Sequence, residues 1–194
     1  MRKKLIKRKT LETEIVVDLA IDGTGSVKIQ TGVGFFDHLL ELFAFHGKFN
    51  LRIEAKGDLV VDDHHIVEDV GIALGKAFKE SLGDKKGVSR YGYFILPMDE
   101  ALVRVVVDIS GRPYLGYNVA FPREKIGELA TENIEEFFAG FVRESDMTLH
   151  IDLLKGKNSH HIAEAIFKCS GIAIRQAVTI SGEGVPSTKG RIGG

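Results

Sequence analysis

The chain has 194 residues, of which 44% are hydrophobic and 27% are charged, with 26 basic and 27 acidic side chains. This composition is typical of folded globular proteins and excludes disordered and fibrous classes. A net charge of −1 provides no general attraction to nucleic acid or to an anionic membrane, and no apolar run approaches the roughly 18 residues of a membrane span. The only cysteine, Cys169, excludes an intramolecular disulfide and a cysteine-based zinc site, and favours a reducing, cytoplasmic location.

The N-terminal stretch Met1–Lys9 contains six Lys or Arg residues. Because no apolar segment follows it, it does not have the pattern of a secretory signal. We expect a solvated arm that leads into the first strand. A β-branched run over Ile15–Ile21, followed by an Asp-Gly turn pair, predicts that strand.

The rest of the chain alternates between helical and extended patterns. Strands are predicted where apolar and polar residues alternate or β-branched residues cluster, and helices where apolar residues recur every three or four positions. Two helices follow residues that favour caps, namely Asp62 or Asp63 and Asn158 or Ser159. In chain order we expect a helix over Phe35–His46, a strand over Leu51–Lys56, a helix over His64–Leu82, a strand over Leu102–Ile109, and helices over Glu132–Val142 and His160–Val178.

The two halves of the chain resemble each other. The segment Asp63–Asp69 recurs as Ser159–Ala165, a shift of 96 residues, and each copy carries His-His-x-x-Glu. Flanking segments match at shifts of 98 and 88 residues, as loops of unequal length would produce. We therefore predict a first unit over residues 1–88 and a second over residues 89–194. Two half-buried sheets with four helices between them, an α+β fold, would bury the apolar faces.

The repeated His-His-x-x-Glu motif predicts a metal centre. His64 shares a helical face with Glu68, as His160 does with Glu164, because residues four apart lie side by side. The second histidine of each pair points about 100° away. His65 and His161 would therefore serve a second ion, together with ligands from another element or another chain. Imidazole and carboxylate ligands without sulfur suit Mn, Fe, Zn, Co or Ni.

Further ligand candidates lie in the other two predicted helices. His38 falls on Glu136 at the shift of 98 residues, and both side chains can bind a metal. Glu135 could take the place of Glu136. We leave His46 and His150 out of the metal set, since the first favours a helix C-terminus and the second lies on an alternating strand.

Four segments spread over nearly the whole chain carry a further signal, namely Gly34–His38, Asp63–Asp69, Gly156–Ala165 and Pro186–Gly190. Together they resemble the imidazoleglycerol-phosphate dehydratase family, whose order they follow, and as a combination they are highly specific. The resemblance implies helices between two four-stranded sheets, a cytoplasmic homo-oligomer of 24 subunits, and interface sites that hold two Mn²⁺ ions each.

The resemblance also implies a ligand set. Glu136 would be the eighth ligand, at a position where relatives carry His, and Leu42 stands where some relatives carry a Gln near the substrate. The other implied ligands are His38, His64, His65, Glu68, His160, His161 and Glu164.

The implied reaction is the dehydration of D-erythro-imidazoleglycerol phosphate to imidazole acetol phosphate in histidine biosynthesis. Metal ions on the ring nitrogens would stabilise an imidazolate and help expel hydroxide. His38, Glu68 and Glu164 would take part through the metals. Glu12 matches the family's acid–base residue, and Asp99 and Glu100 are weaker candidates at the repeat-equivalent place, Asp99 also as a substrate contact.

A phosphorylated substrate requires fixed cations and hydrogen-bond donors. Arg90 and Arg112 follow family positions and can grip phosphate through paired donors. Lys168, four residues after Glu164, can lie on the same helical face. The loop residues Ser187, Thr188 and Lys189 offer further donors, and no Walker A sequence is present to suggest a nucleotide.

Two alternative functions compete with the dehydratase. A two-metal hydrolase of phosphate esters would use the same histidines, glutamates and cations, but would release inorganic phosphate. A structural protein cross-linked by metal ions would not require Arg90, Arg112 and Lys189 around the ions. The expected partners are therefore a small phosphorylated imidazole and further copies of the chain, with no nucleic acid and no membrane.

Overall fold

A computed structural model describes residues 2–192. The strands of the first half are β1 (Lys3–Lys9), β2 (Thr13–Ala20), β3 (Val27–Gln30) and β4 (Asn50–Gly57). Those of the second half are β5 (Tyr91–Met98), β6 (Ala101–Asp108), β7 (Tyr114–Asn118), β8 (Lys125–Ile126), β9 (Leu129–Ala130) and β10 (Thr148–Lys155). The helices are α1 (Gly34–Gly47), α2 (His64–Leu82), α3 (Asn133–Ser145) and α4 (Ser159–Val178).

The strands form two four-stranded sheets of identical topology. Their orders are β1-β2-β4-β3 and β5-β6-β10-β7, and in each the last strand runs parallel to its neighbour while the other pairs are antiparallel. A short β8–β9 hairpin lies outside this pattern. The predicted α+β fold with an internal repeat and helices between two sheets is confirmed.

The helices pack across the repeat. α1 from the first half packs on α4 from the second, and α3 packs on α2. Glycines allow these close crossings, because a Cβ at Gly171 would lie 2.3 Å from the Phe43 carbonyl oxygen and one at Gly75 would lie 2.3 Å from that of Phe141. These two contacts are equivalent in the repeat. Each half therefore contributes a helix to the packing of the other half.

The core lies between the sheets and is rich in phenylalanine. Phe43, Phe78 and Phe141 are fully or almost fully buried, and their rings meet mostly edge to face. This geometry suits the quadrupoles of aromatic rings. Within residues 2–192, no helix is both long and apolar enough to cross a membrane.

The basic N-terminus forms an edge strand, so the expectation of a solvated arm was wrong. β1 pairs with β2 along its whole length, from Lys3 opposite Ala20 to Lys9 opposite Glu14. Ile6 points into the core, and the lysines stay exposed. The alternation of a single inward residue with charged neighbours is typical of a protected edge strand, since lysines discourage further strand pairing.

Candidate active site

Each His-His pair lies in the first turn of a capped helix. The Asp62 carboxylate accepts a hydrogen bond from the His64 backbone N–H at 2.8 Å, and the Asn158 side chain accepts one from the His160 N–H at 2.9 Å. Asp63 instead binds the backbone N–H of Ala130. The two caps are repeat-equivalent. They fix the point at which each helix begins and thereby place the histidines on its exposed end.

Three metal-capable side chains converge where α1 meets α4. His38 Nε2 and His160 Nε2 each lie 2.9 Å from Glu164 Oε1. The ligand atoms of these three side chains all lie within 4.8 Å of one another, and no other group of three or more such side chains among the described residues does so. The Phe35 ring packs on His160 with 4.8 Å between centroids and flanks the group. Two imidazole nitrogens and a carboxylate oxygen therefore face one point.

Glu164 is ionised in this setting. Burial by itself would raise the pKa of its carboxyl group, but hydrogen bonds from Lys168, His38 and His160 lower the pKa to about 2. The Lys168 Nζ lies 2.6 Å from Glu164 Oε2, the oxygen that the histidines leave free. Lys168 thus shares the helical face of Glu164, as predicted from their spacing, and it keeps the carboxylate charged.

The equivalent group on α2 is more open. His64 Nε2 lies 3.8 Å from Glu68 Oε2, and Arg143 from α3 binds Glu68 at 3.1 Å. His64 Nδ1 lies 3.0 Å from the side-chain oxygen of Asn133. Asn133 is the repeat-equivalent of Phe35, at the shift of 98 residues. Glu136 makes no side-chain hydrogen bond or ion pair with any residue between 2 and 192, so its role as a ligand stays a prediction.

The second histidine of each pair faces acidic residues outside the helix. His65 Nδ1 lies 3.1 Å from both oxygens of Asp58, and its Nε2 lies 3.9 Å from Glu12 Oε1. These contacts, with the Asp58 hydrogen bond foremost, raise the pKa of His65.

His161 has the corresponding environment on α4. Its Nδ1 lies 2.7 Å from Glu100 Oε2, and its Nε2 lies 3.5 Å from Asp99. The Glu100 hydrogen bond raises the pKa of His161 and, with two backbone N–H donors, lowers that of Glu100 to about 2. In the described part of the chain, no hydrogen bond or ion pair connects the histidines of α2 with those of α4. A single subunit therefore presents two separate histidine clusters.

A basic cavity of about 410 Å³ brings the predicted phosphate residues together. Arg90 is held in it by Asp108 at 2.8 Å and by the Pro186 carbonyl at 2.9 Å, with its backbone at a φ of 70°. The Arg112 guanidinium has no such partner within residues 2–192. The cavity is lined by Arg90, Ser110, Arg112, Ser187, Thr188, Lys189, Arg191 and Ile192.

The sequence did not identify two of these polar residues as phosphate contacts. It also assigned one cation to the phosphate site that does not line the cavity. The sequence indicates Ser110 only as part of a turn, and Arg191 lies just beyond the predicted Ser187–Gly190 loop; its basic charge next to Lys189 is the available signal. Lys168 does not line the cavity and binds Glu164 instead. His150 lies exposed on β10 against the Tyr114 ring, on the sheet face opposite the helices.

Comparisons with known proteins agree with these features. The family model described as imidazoleglycerol-phosphate dehydratase matches residues 31–174. The imidazoleglycerol-phosphate dehydratase of Caldicellulosiruptor saccharolyticus is 54% identical over 185 residues, which is 95% of each chain. That of Caldanaerobacter subterraneus subsp. tengcongensis is 56% identical over 192 residues, 98% of this chain and 99% of its own.

Solved structures give the same result. A crystal structure of imidazoleglycerol-phosphate dehydratase from Staphylococcus aureus has a TM-score of 0.84 at 45% identity, covering 92% of this chain and 99% of its own. The Pyrococcus furiosus enzyme in complex with (S)-C348 has a TM-score of 0.84 at 40% identity, covering 96% of this chain and 100% of its own. The chain is thus an enzyme, a hydro-lyase that belongs to the imidazoleglycerol-phosphate dehydratase family.

Proposed function

We propose that this enzyme converts D-erythro-imidazoleglycerol phosphate to imidazole acetol phosphate in histidine biosynthesis. The observation that carries the proposal is the convergence of His38, His160 and Glu164 in a chain of this family. The reaction removes a hydroxyl group from the carbon attached to the imidazole ring and a proton from the next carbon. A site for it must therefore hold an imidazole, anchor a phosphate and move a proton.

The basic cavity would anchor the phosphate. Four cationic side chains and three hydroxyl-bearing ones line it, and guanidinium groups bind phosphate oxygens through paired, charge-assisted hydrogen bonds. Asp108 already holds the Arg90 side chain in place, so little conformational entropy is lost when it binds a ligand. The Arg112 guanidinium has no hydrogen-bond or ion-pair partner within residues 2–192 and can turn toward a ligand. Asp99 and Lys168, which lie at the histidine clusters, would act near the imidazole end of the substrate.

The donor atoms at the histidine clusters fit a divalent transition-metal ion, which we propose to be manganese. Two imidazole nitrogens and one ionised carboxylate oxygen within 4.8 Å of one another form a set that Mn²⁺ accepts. His38, His160 and Glu164 would hold one ion, and His64, His65, Glu68 and His161 would complete two ions per site across subunit boundaries. When bound, the ions would favour the deprotonated imidazole ring of the substrate and so help the hydroxyl group to leave.

Glu12 is the better of the two repeat-equivalent carboxylates for proton transfer. Its side chain is exposed, and its one ion-pair partner within residues 2–192 is His65, at 3.9 Å. Glu100 accepts three hydrogen bonds, which lower its pKa to about 2 and make it a poor proton acceptor. The divergence of the two positions thus leaves Glu12 available as the acid–base residue.

Metal sites shared between subunits would also require a homo-oligomer, for which we propose 24 subunits. Within residues 2–192 of one subunit, no hydrogen bond or ion pair joins the α2 histidines to the α4 histidines, so sites that use both would join subunits. Such sites would be completed only on assembly, which makes the subunit interfaces part of the active site.

The decisive experiment is product formation from imidazoleglycerol phosphate with Mn²⁺ and after chelation. We expect imidazole acetol phosphate to form with the metal and not without it. Release of inorganic phosphate would instead indicate the hydrolase. Metal binding with neither product would indicate the structural alternative.

A second experiment tests the shared sites. His160→Ala removes one donor from the converging group and should lower both the bound Mn²⁺ and the particle size. His46→Ala, eight residues beyond His38 on α1 and outside the group, is the matched control. Full metal content and native particle size in His160→Ala would contradict the bridging of subunits.

A further inference from the structure

The two outward histidines share a feature that the metal set alone does not require. His65 and His161 each place Nδ1 against a carboxylate, from Asp58 at 3.1 Å and from Glu100 at 2.7 Å. An ionised carboxylate only accepts hydrogen bonds, so in both cases Nδ1 must carry the proton. The lone pair of the neutral ring is then on Nε2. In both cases Nε2 is also the atom that faces a second acidic side chain, Glu12 or Asp99.

We infer that Asp58 and Glu100 are positioning residues that hold His65 and His161 in the tautomer able to bind a metal through Nε2. The inference rests on the proposed function, because it assigns the two carboxylates a role toward the proposed ions. A carboxylate behind a ligating histidine fixes the ring orientation and increases the basicity of the nitrogen that binds the metal. Neither residue contacts the substrate in this assignment.

The two carboxylates differ in what else they bind, and this difference makes them separable by mutation. Glu100 Oε1 accepts hydrogen bonds from the backbone N–H groups of Lys157, at 3.1 Å, and Asn158, at 2.7 Å, while Oε2 faces His161. Asp58 directs both oxygens at His65, each 3.1 Å from Nδ1. Its side chain has no other hydrogen-bond partner within residues 2–192.

Glu100→Gln should therefore place a hydrogen-bond donor, instead of an acceptor, opposite His161, while the contacts of residue 100 with the loop backbone remain. The two backbone donors hold the amide oxygen in the place of Oε1, which leaves the NH₂ group facing His161 Nδ1. That arrangement favours the proton on Nε2 and removes the lone pair from the metal side. Asp58→Asn can instead turn its amide oxygen toward His65 and keep the original tautomer, whereas Asp58→Ala cannot.

The test is titration of the full-length, chelator-treated protein with Mn²⁺ by calorimetry. We expect Glu100→Gln and Asp58→Ala to weaken Mn²⁺ binding about 10- to 100-fold, and Asp58→Asn to stay within a few-fold of wild type. The absorption spectrum of the Co²⁺-substituted protein should change in the first two variants only. Glu80→Gln, at the far end of α2, is the control for losing a carboxylate, and circular dichroism and native mass verify folding.

The outcomes distinguish the inference from the function on which it rests. Wild-type Mn²⁺ affinity in Glu100→Gln would overturn the positioning role but not the metal site. An equal loss of Mn²⁺ affinity in Asp58→Asn and Asp58→Ala would do the same. If Asp58 had only a structural role in its loop, the two Asp58 variants would lose Mn²⁺ affinity equally. Failure of the wild-type protein to bind Mn²⁺ would overturn both.

Discussion

Arg90 and Arg112 line one cavity but differ in how much of their binding capacity is already used. Arg90 donates to Asp108 and to the Pro186 carbonyl, and these contacts place it at the cavity wall. The Arg112 backbone is fixed by Ser110, whose hydroxyl accepts its N–H at 3.0 Å, but its guanidinium has no partner in the described chain. Arg112 is therefore the residue whose removal should report on phosphate binding with the least structural damage.

We predict that Arg112→Gln raises the KM for the phosphorylated substrate about 10- to 100-fold, with a smaller effect on kcat. The reason is the loss of charge-assisted hydrogen bonds, each worth about 1.5–3 kcal/mol. Steady-state kinetics measure both constants. Arg52→Gln, on the outer face of the first sheet and paired with Glu54, should behave as wild type. An unchanged KM in Arg112→Gln would exclude this cavity as the phosphate site.

At the scale of elements, the crossing of α1 on α4 depends on Gly171. Alanine is the better helix former by about 1 kcal/mol, but here its Cβ would lie 2.3 Å from a backbone oxygen of α1 that cannot move away alone. We predict that Gly171→Ala lowers the free energy of unfolding by about 1–3 kcal/mol. Thermal or urea unfolding measures the change.

Gly34→Ala provides the matched control for that crossing. Gly34 is also helical, but a Cβ added there would meet no atom of another part of the chain within 4 Å. The same substitution should therefore be neutral or slightly stabilising at this position. Equal stability of the Gly171 and Gly34 variants would show that the helices can separate without cost.

The edge strand β1 is fastened by a pH-sensitive ion pair. Arg2 donates to both oxygens of Asp22 and, at 2.6 Å, to the Val178 carbonyl at the end of α4. The Arg2 hydrogen bond lowers the pKa of Asp22 below its ordinary 3.8. Because the folded pKa is the lower one, this stabilisation is complete above 3.8 and disappears as the pH falls through the folded value.

We predict that Asp22→Asn has a lower free energy of unfolding than wild type at pH 7. This difference, or gap, between the two proteins should narrow as the pH falls below 4. Urea denaturation at a series of pH values measures the gap. The effect should be small, since the carboxylate is partly exposed and screened by solvent. A gap that is constant with pH would contradict the assignment.

At the scale of the whole molecule, the outer faces of the two sheets differ in character. The first sheet exposes mainly charged side chains, while the second exposes large apolar ones. The exposed apolar residues of the second sheet are Tyr91, Tyr93, Ile95, Val106, Tyr114 and Leu154. Since the topologies are the same, folding does not require this difference, and we predict that another subunit covers the outer face of the second sheet.

We predict that Ile95→Glu reduces the native mass, whereas Lys7→Glu does not. Lys7 is the repeat-equivalent of Ile95 on β1, so both variants place the same charge at the same point of the same topology. An ionised carboxylate is expensive to bury in a subunit contact but costs nothing on a solvated face. Light scattering coupled to size-exclusion chromatography measures the mass. Native mass in Ile95→Glu would exclude this face from the assembly.

Much of the molecule follows from local patterns in the sequence. Periodicity determined the bounds of α2 and α4 within about a residue, and the shift between the halves determined that the two sheets are copies. The i, i+4 spacing determined that Lys168 and Glu164 share a helical face. The helix bounds and the shared face of Lys168 and Glu164 are set within a few turns of one element, where propensity and spacing decide the outcome.

Other features were decided only by tertiary structure. His38 meets Glu164 because α1 crosses to the other half of the repeat, and that crossing depends on long-range burial and on Gly171, not on any local period. The entry of Ser110 and Arg191 into the basic cavity and the contact of Glu100 with His161 likewise join segments that lie far apart in the sequence. Spacing along the chain shows which side chains share an element, but only the packing of elements against one another shows which side chains meet.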